Sequence, residues 1–158
     1  MGAIVIAGTW RTTAPAQSVW DVMVDLGTWP QWWPAITDVE LLGGAPGAPD
    51  AARFTFGTPA PLRPLRIEIA VTDRDAPHRM SIRADDGPLV GGGELAVTAV
   101  DGTTAASFDL NLRVRSLLFK PVERVLANAT RGAGKERLAK AGDDLAHLAG
   151  GEPLEHSL

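Results

Sequence analysis

The spacing of hydrophobic residues changes twice along the chain, and each change marks a change of structure. Near the start, "AIVIAGTW" alternates into Arg11 and Thr12 as a strand does. From Ala14 to Gly27 the period is helical: Val19, Val22, Met23 and Leu26 fall at i, i+3, i+4 and i+7, with Trp20 and Val24 widening the stripe. Thr13 is placed to cap this helix, Pro15 suits its first turn and Gly27 its end. A second, very short helix is predicted from Thr28, ending before Pro34, which forces Trp33 out of the α region.

Between Ile36 and Arg115 the period becomes 2. Phe54 and Phe56, then Leu65, Ile67, Ile69 and Val71, then Met80 and Ile82, then Phe108, Leu110, Leu112 and Val114 alternate with polar or small residues. One face of the resulting sheet is wet and the other buried. Turn signals at "GGAPGAPDA", "GTPAPLRP", "DRDAPH", "DDGP" and "VDGT" divide the strands at hairpin spacing, which predicts an antiparallel meander. After Pro121 the helical period returns and runs to Gly150-Gly151, about 29 residues or roughly 44 Å. Its inner stripe is predicted as Val122, Leu126, Ala129, Ala133, Ala141, Leu145 and Leu148. The segment 151–158, "GEPLEHSL", is expected to fray.

Composition narrows the functional classes. At 158 residues, with 45% hydrophobic and 22% charged residues, the chain is expected to form one globular domain over 1–150. A formal net charge of −4 argues against a nucleic-acid surface, because phosphate binding needs clustered Lys and Arg. Without cysteine there is no disulfide, thiol catalysis or Cys-ligated zinc. His78, His147 and His156 are scattered, no hydrolase motif is present, and neither metal nor cofactor is expected. The apolar stretch at the start is too short for a membrane span, which points to a cytoplasmic protein, a monomer or weak homodimer.

"APAQSVWDVMVDLGTWPQWWPAITDVELL" (Ala14 to Leu42), "DRDAPHRM" (Asp73 to Met80), "GPLVGGGELAV" (Gly87 to Val97) and "DGTTAASFDLNLRV" (Asp101 to Val114), taken in order, carry a family resemblance. The chain resembles the START-like (SRPBCC, helix-grip) superfamily, in particular its polyketide cyclase/dehydrase-like branch. That resemblance implies an α+β helix-grip fold: a curved antiparallel sheet of six to seven strands wrapped around a long C-terminal helix, with two short helices after the first strand. It also implies a cavity between sheet and helix that takes a hydrophobic small molecule such as a lipid, polyketide or aromatic compound. The chain departs from the branch at Leu95, where an aromatic is common, and in having no tyrosine.

Within this frame the predicted cavity residues are Trp33, Phe54, Phe56, Ile67, Ile69, Met80, Ile82, Phe108, Leu110, Leu112, Ala129, Thr130, Ala133 and Arg137. Arg137 falls on or beside the inner stripe of the last helix, although a solvent-facing position is the simpler reading of it. In "WPQWWP" the first expectation is that Trp29 and Trp33 chiefly close the core, the second reading is that one ring also lines the pocket entrance, and Trp32 is expected at the surface. Gly91-Gly92-Gly93 continues as strand and does not open a helix, so it predicts a bulge or close strand approach, not a phosphate loop. The small residues of "LANATRGAG" leave two explanations open, close helix-to-sheet packing and space for a ligand. Besides ligand binding, the sequence is compatible with a cyclase/dehydratase-type enzyme using pocket titratable groups, and with an interaction or structural protein whose interior is filled.

Overall fold

The structure, a computed structural model, describes residues 4–45, 47–57, 63–85, 87, 89–115 and 133–158. Strand β1 (Ile4–Thr12) leads into helix α1 (Ala16–Val24), a 3-10 turn (Leu26–Thr28) and the four-residue helix α2 (Trp29–Trp32). Strands β2 (Ile36–Ala45), β3 (Ala48–Phe56), β4 (Leu65–Asp75), β5 (Arg79–Ala84), β6 (Leu89–Val100) and β7 (Thr103–Val114) follow, and the last helix, α3, covers Ala133–Leu148. The part of the predicted long helix between residues 121 and 132 lies outside the described residues.

The predicted meander is present. All pairings are antiparallel, and the order β1-β7-β6-β5-β4-β3-β2 places β1 beside β7 at one edge and β2 at the other. Asp101 and Gly102, at φ 48° and 80°, form the two-residue connection between β6 and β7, the conformation a type I′ hairpin requires. Alternation does what the sequence demands. Phe54, Ile67, Met80, Ile82, Leu95 and Phe108 are buried on one face, while Arg53, Glu68, Arg83, Glu94 and Asp109 stand on the other.

Several local expectations need correction. Pro15, not Thr13, occupies the cap of α1 and offers no side-chain hydrogen bond. Thr13 is used elsewhere: its amide donates to the Glu152 carbonyl (3.0 Å) and its hydroxyl accepts from the Glu152 amide (2.9 Å). Those bonds belong to a larger contact, because the segment expected to fray lies along the free edge of β1. Ser157 exchanges two backbone hydrogen bonds with Thr9 (2.7 and 2.9 Å), and the Leu154 amide donates to Arg11 (2.8 Å). His156 completes the row: its Nδ1 accepts from the Arg11 amide at 3.1 Å, which places the proton on Nε2, 2.7 Å from Asp143 Oδ1 on α3. Composition alone suggests a polar tail; the unpaired edge of β1 gives it hydrogen-bond partners.

Helix α3 ends as predicted. The Gly150 amide donates to His147 and the Gly151 amide to Ala146 (3.0 and 2.9 Å), and Gly150 adopts φ 89°, the left-handed stop that glycine tolerates best. Its buried stripe is Leu138, Ala141, Leu145, Ala146 and Ala149, whereas Leu148, predicted to face inward, is 42% exposed. Around the helix the buried positions form an arc from Ala141 through Leu138 and Leu145 to Ala146, and Leu148 falls just outside the Ala141 edge of that arc.

Candidate functional site

The tryptophan segment is first a core plug. Trp29 and Trp32 are buried, and Trp32, expected at the surface, has no exposed area at all. The short turns turn it inward: the Thr28 hydroxyl donates to the carbonyls of Val22 and Asp25 (3.0 and 2.8 Å) and accepts from the Trp32 indole at 3.3 Å. The Trp29 indole donates to the Met23 carbonyl at 2.9 Å. Trp10 of β1 joins this cluster at centroid distances of 5.8 Å to Trp32, 5.7 Å to Trp33 and 4.4 Å to Phe108, and Trp29 stacks on Phe54 at 5.2 Å. Aromatic pairs at such distances contribute about 0.5–1.5 kcal/mol each beyond their buried area.

Trp10 also fixes the last helix. Its indole donates to the Leu138 carbonyl at 2.8 Å, and Gly142 passes so close that an added Cβ would lie 2.3 Å from Trp10 Cδ1. At this point the small residue of α3 serves close packing.

Beside Leu138 the inner face of the sheet borders a cavity of about 140 Å³. Trp29 and Trp33 form one end. Ile6, Ile36, Phe56, Leu65, Ile67, Ile69, Ile82, Ala84, Leu89, Leu110 and Leu112 supply most of the wall, and Leu138 closes it from α3. Gly91 and Gly92 line it with backbone. The register of β6 with β7 is unbroken from Leu89 to Val100, so the triple glycine is a close strand approach and not a bulge. A Cβ on Gly91 would lie 2.1 Å from the Asn111 carbonyl oxygen, and one on Gly93 would meet the Asp109 carbonyl at 2.3 Å. Nothing larger than glycine fits there.

Seven predicted residues, Trp33, Phe56, Ile67, Ile69, Ile82, Leu110 and Leu112, meet on this wall. Phe54, Met80 and Phe108 also point inward, but into the packed part of the core, where they are 0%, 1% and 2% exposed. Arg137 is exposed on α3 and takes no part in the wall. Ala129 and Thr130 lie outside the described residues, as does the side chain of Ala133. Ile6 and Leu138 were missed by the sequence reading; both carried a signal, Ile6 through alternation in β1 and Leu138 through its place three residues before Ala141.

The wall is almost free of ionisable groups. Its one charged residue among those described, Arg83, is exposed and paired with Asp85 at 2.5 Å. Charge gathers on the outer face of the sheet, where Arg53 bridges Glu68 and Glu40 across three strands. The hydrogen bonds that Arg53 donates to Glu68, then the charge of that carboxylate, raise the Arg53 pKa above its ordinary value. Among the described residues there is no cluster of His, Asp or Glu able to hold a metal ion. No helix among them is long and apolar enough to cross a membrane.

A cavity between an antiparallel sheet and the last helix, with two short helices after the first strand, defines the START-like helix-grip class. The chain belongs to the family described as polyketide cyclase / dehydrase and lipid transport, whose model matches residues 4–145. The fold is similar to that of a START superfamily protein from Mycobacterium smegmatis (TM-score 0.67, 20% identity, 87% of this chain and 93% of that one). It is likewise similar to the Zhui aromatase/cyclase from a Streptomyces species (TM-score 0.69, 17% identity, 94% of each chain). Norcoclaurine synthase from Thalictrum flavum matches at TM-score 0.60, with 17% identity and 93% of each chain covered. No curated protein sequence matches the chain.

Proposed function

We propose that this protein binds a neutral hydrophobic small molecule, an aromatic compound, polyketide or lipid, whose apolar part enters the cavity between the sheet and α3. One observation carries this reading. Trp33, Phe56, Ile69, Leu110 and Leu112 are turned toward the interior by their strand or turn, yet remain only partly buried because they face open space. Removing such surface from water contributes about 25 cal/mol per Å². The size sets the scale of the guest: an apolar cavity of roughly 150 Å³ stays dry and accepts benzene. A single ring or a short acyl segment fits about 140 Å³.

Catalysis of the cyclase/dehydratase type is the less supported alternative. Moving protons requires a titratable group at the reacting atoms, and the described wall offers only Arg83, already paired. A filled interior is disfavoured by the cavity itself.

The test is native mass spectrometry of freshly purified protein for a co-purifying aromatic or lipid, followed by titration with toluene monitored by tryptophan fluorescence. Trp29 and Trp33 on the wall make the emission sensitive to occupancy. Ala84→Leu, which places a larger side chain into the cavity, is expected to remove the response while leaving the fold intact. A fluorescence change that persists unaltered in that variant would reject this cavity as the site.

A further inference from the structure

The four clustered indoles are not equivalent as hydrogen-bond donors. Trp10 donates to the Leu138 carbonyl at 2.8 Å, Trp29 to the Met23 carbonyl at 2.9 Å and Trp32 to the Thr28 hydroxyl at 3.3 Å. The Trp33 indole makes no hydrogen bond with any described residue, although its backbone amide and carbonyl are both bonded, to Trp29 and Ile36. Trp33 is also the indole that lines the cavity while remaining partly exposed.

Buried N–H groups in proteins are nearly always bonded, and one left unmet when water is excluded costs binding free energy. A guest seated against Trp33 removes water from that ring. Among the described residues the wall offers no rival side-chain donor: the Trp29 indole is engaged within the core, and the Arg83 side chain stands on the outer face of the sheet beside Asp85.

On the binding role proposed above, we infer that Trp33 is the polar selector of the cavity, its indole N–H donating to a single neutral acceptor, a carbonyl or ether oxygen, carried by an otherwise apolar guest. Charge on the guest is disfavoured, because a carboxylate would find no unpaired cation on the described wall. A guest without an acceptor leaves the donor unmet.

Two probes of nearly equal shape separate the possibilities: acetophenone, which carries a carbonyl, and ethylbenzene, which does not. Trp33→Phe keeps an aromatic ring and deletes the N–H. The expected result is that this variant loses about threefold to tenfold in acetophenone affinity, the equivalent of one neutral hydrogen bond, with ethylbenzene affinity changed less than twofold. In the wild-type protein, the Trp33 indole proton resonance should move downfield with acetophenone and stay near its place with ethylbenzene. The resonance keeps the test decisive even if the variant folds poorly. Equal losses for both probes, or an indole proton indifferent to the carbonyl, would overturn the selector role while leaving binding intact. Failure of the wild-type protein to bind either probe would instead overturn the binding role, and the selector with it.

Discussion

The two ends of the interior are built from the same kinds of side chain and differ in what holds them together. At one end Trp10, Trp32, Phe54 and Phe108 interlock with exposures of 2% or less, and Gly142 lets α3 approach until its backbone touches an indole. At the other end Ile69, Leu110 and Leu112 project from regular strands toward a space that nothing described fills. The packed end holds the helix to the sheet, and the open end leaves apolar side chains uncovered by any described residue. Small residues thus do two different jobs in one fold: Gly142 closes a gap, whereas Gly91 and Gly92 expose backbone to a cavity.

Substitution can break this contrast. Trp10→Ala removes the hydrogen bond to Leu138 and the ring against Gly142, and it should cost roughly 3–5 kcal/mol in urea unfolding. Leu112→Ala at the open end should cost only about 1–2 kcal/mol, since part of its surface has no packing partner to lose. Comparable losses at the two sites would mean that the ends are equally packed.

Gly142→Ala sharpens the same point. In an ordinary helix the change would gain about 1 kcal/mol. Here the new methyl meets Trp10, and a net loss of about 1–2 kcal/mol is expected from overpacking. A stabilised variant, seen as a raised Tm, would show that α3 stands farther from β1 than described.

His156→Ala should have the smallest effect, about 1 kcal/mol. It deletes the bond to Asp143 and leaves the Arg11 amide to solvent at the strand edge. Faster hydrogen exchange at Arg11 and Thr9, with the Trp10 indole unaffected, would localise the change to this edge.

Much of this architecture was legible in the residues. Period-2 alternation located the strands, and "VDGT" and the Gly150-Gly151 pair located a hairpin and a helix end, because each depends on local backbone preference. What depends on distant partners was not legible. Trp32 sits in a segment with no helical face long enough to read, and it is buried because Trp10, more than twenty residues earlier, packs against it. The docked segment 152–158 looks polar in isolation, and only the free edge of β1 gives it structure. Alternation likewise put Phe54, Phe108 and Leu110 on one face without saying which would pack and which would line a cavity; that division follows from where α3 touches the sheet.

The most direct measurement is a crystal of the protein equilibrated with xenon under pressure. Density for xenon among Ile69, Ile82, Leu112 and Leu138 is expected, with no ordered water there in the untreated crystal. Side chains packed solidly across that space, or a chain of ordered waters occupying it, would contradict an apolar binding cavity.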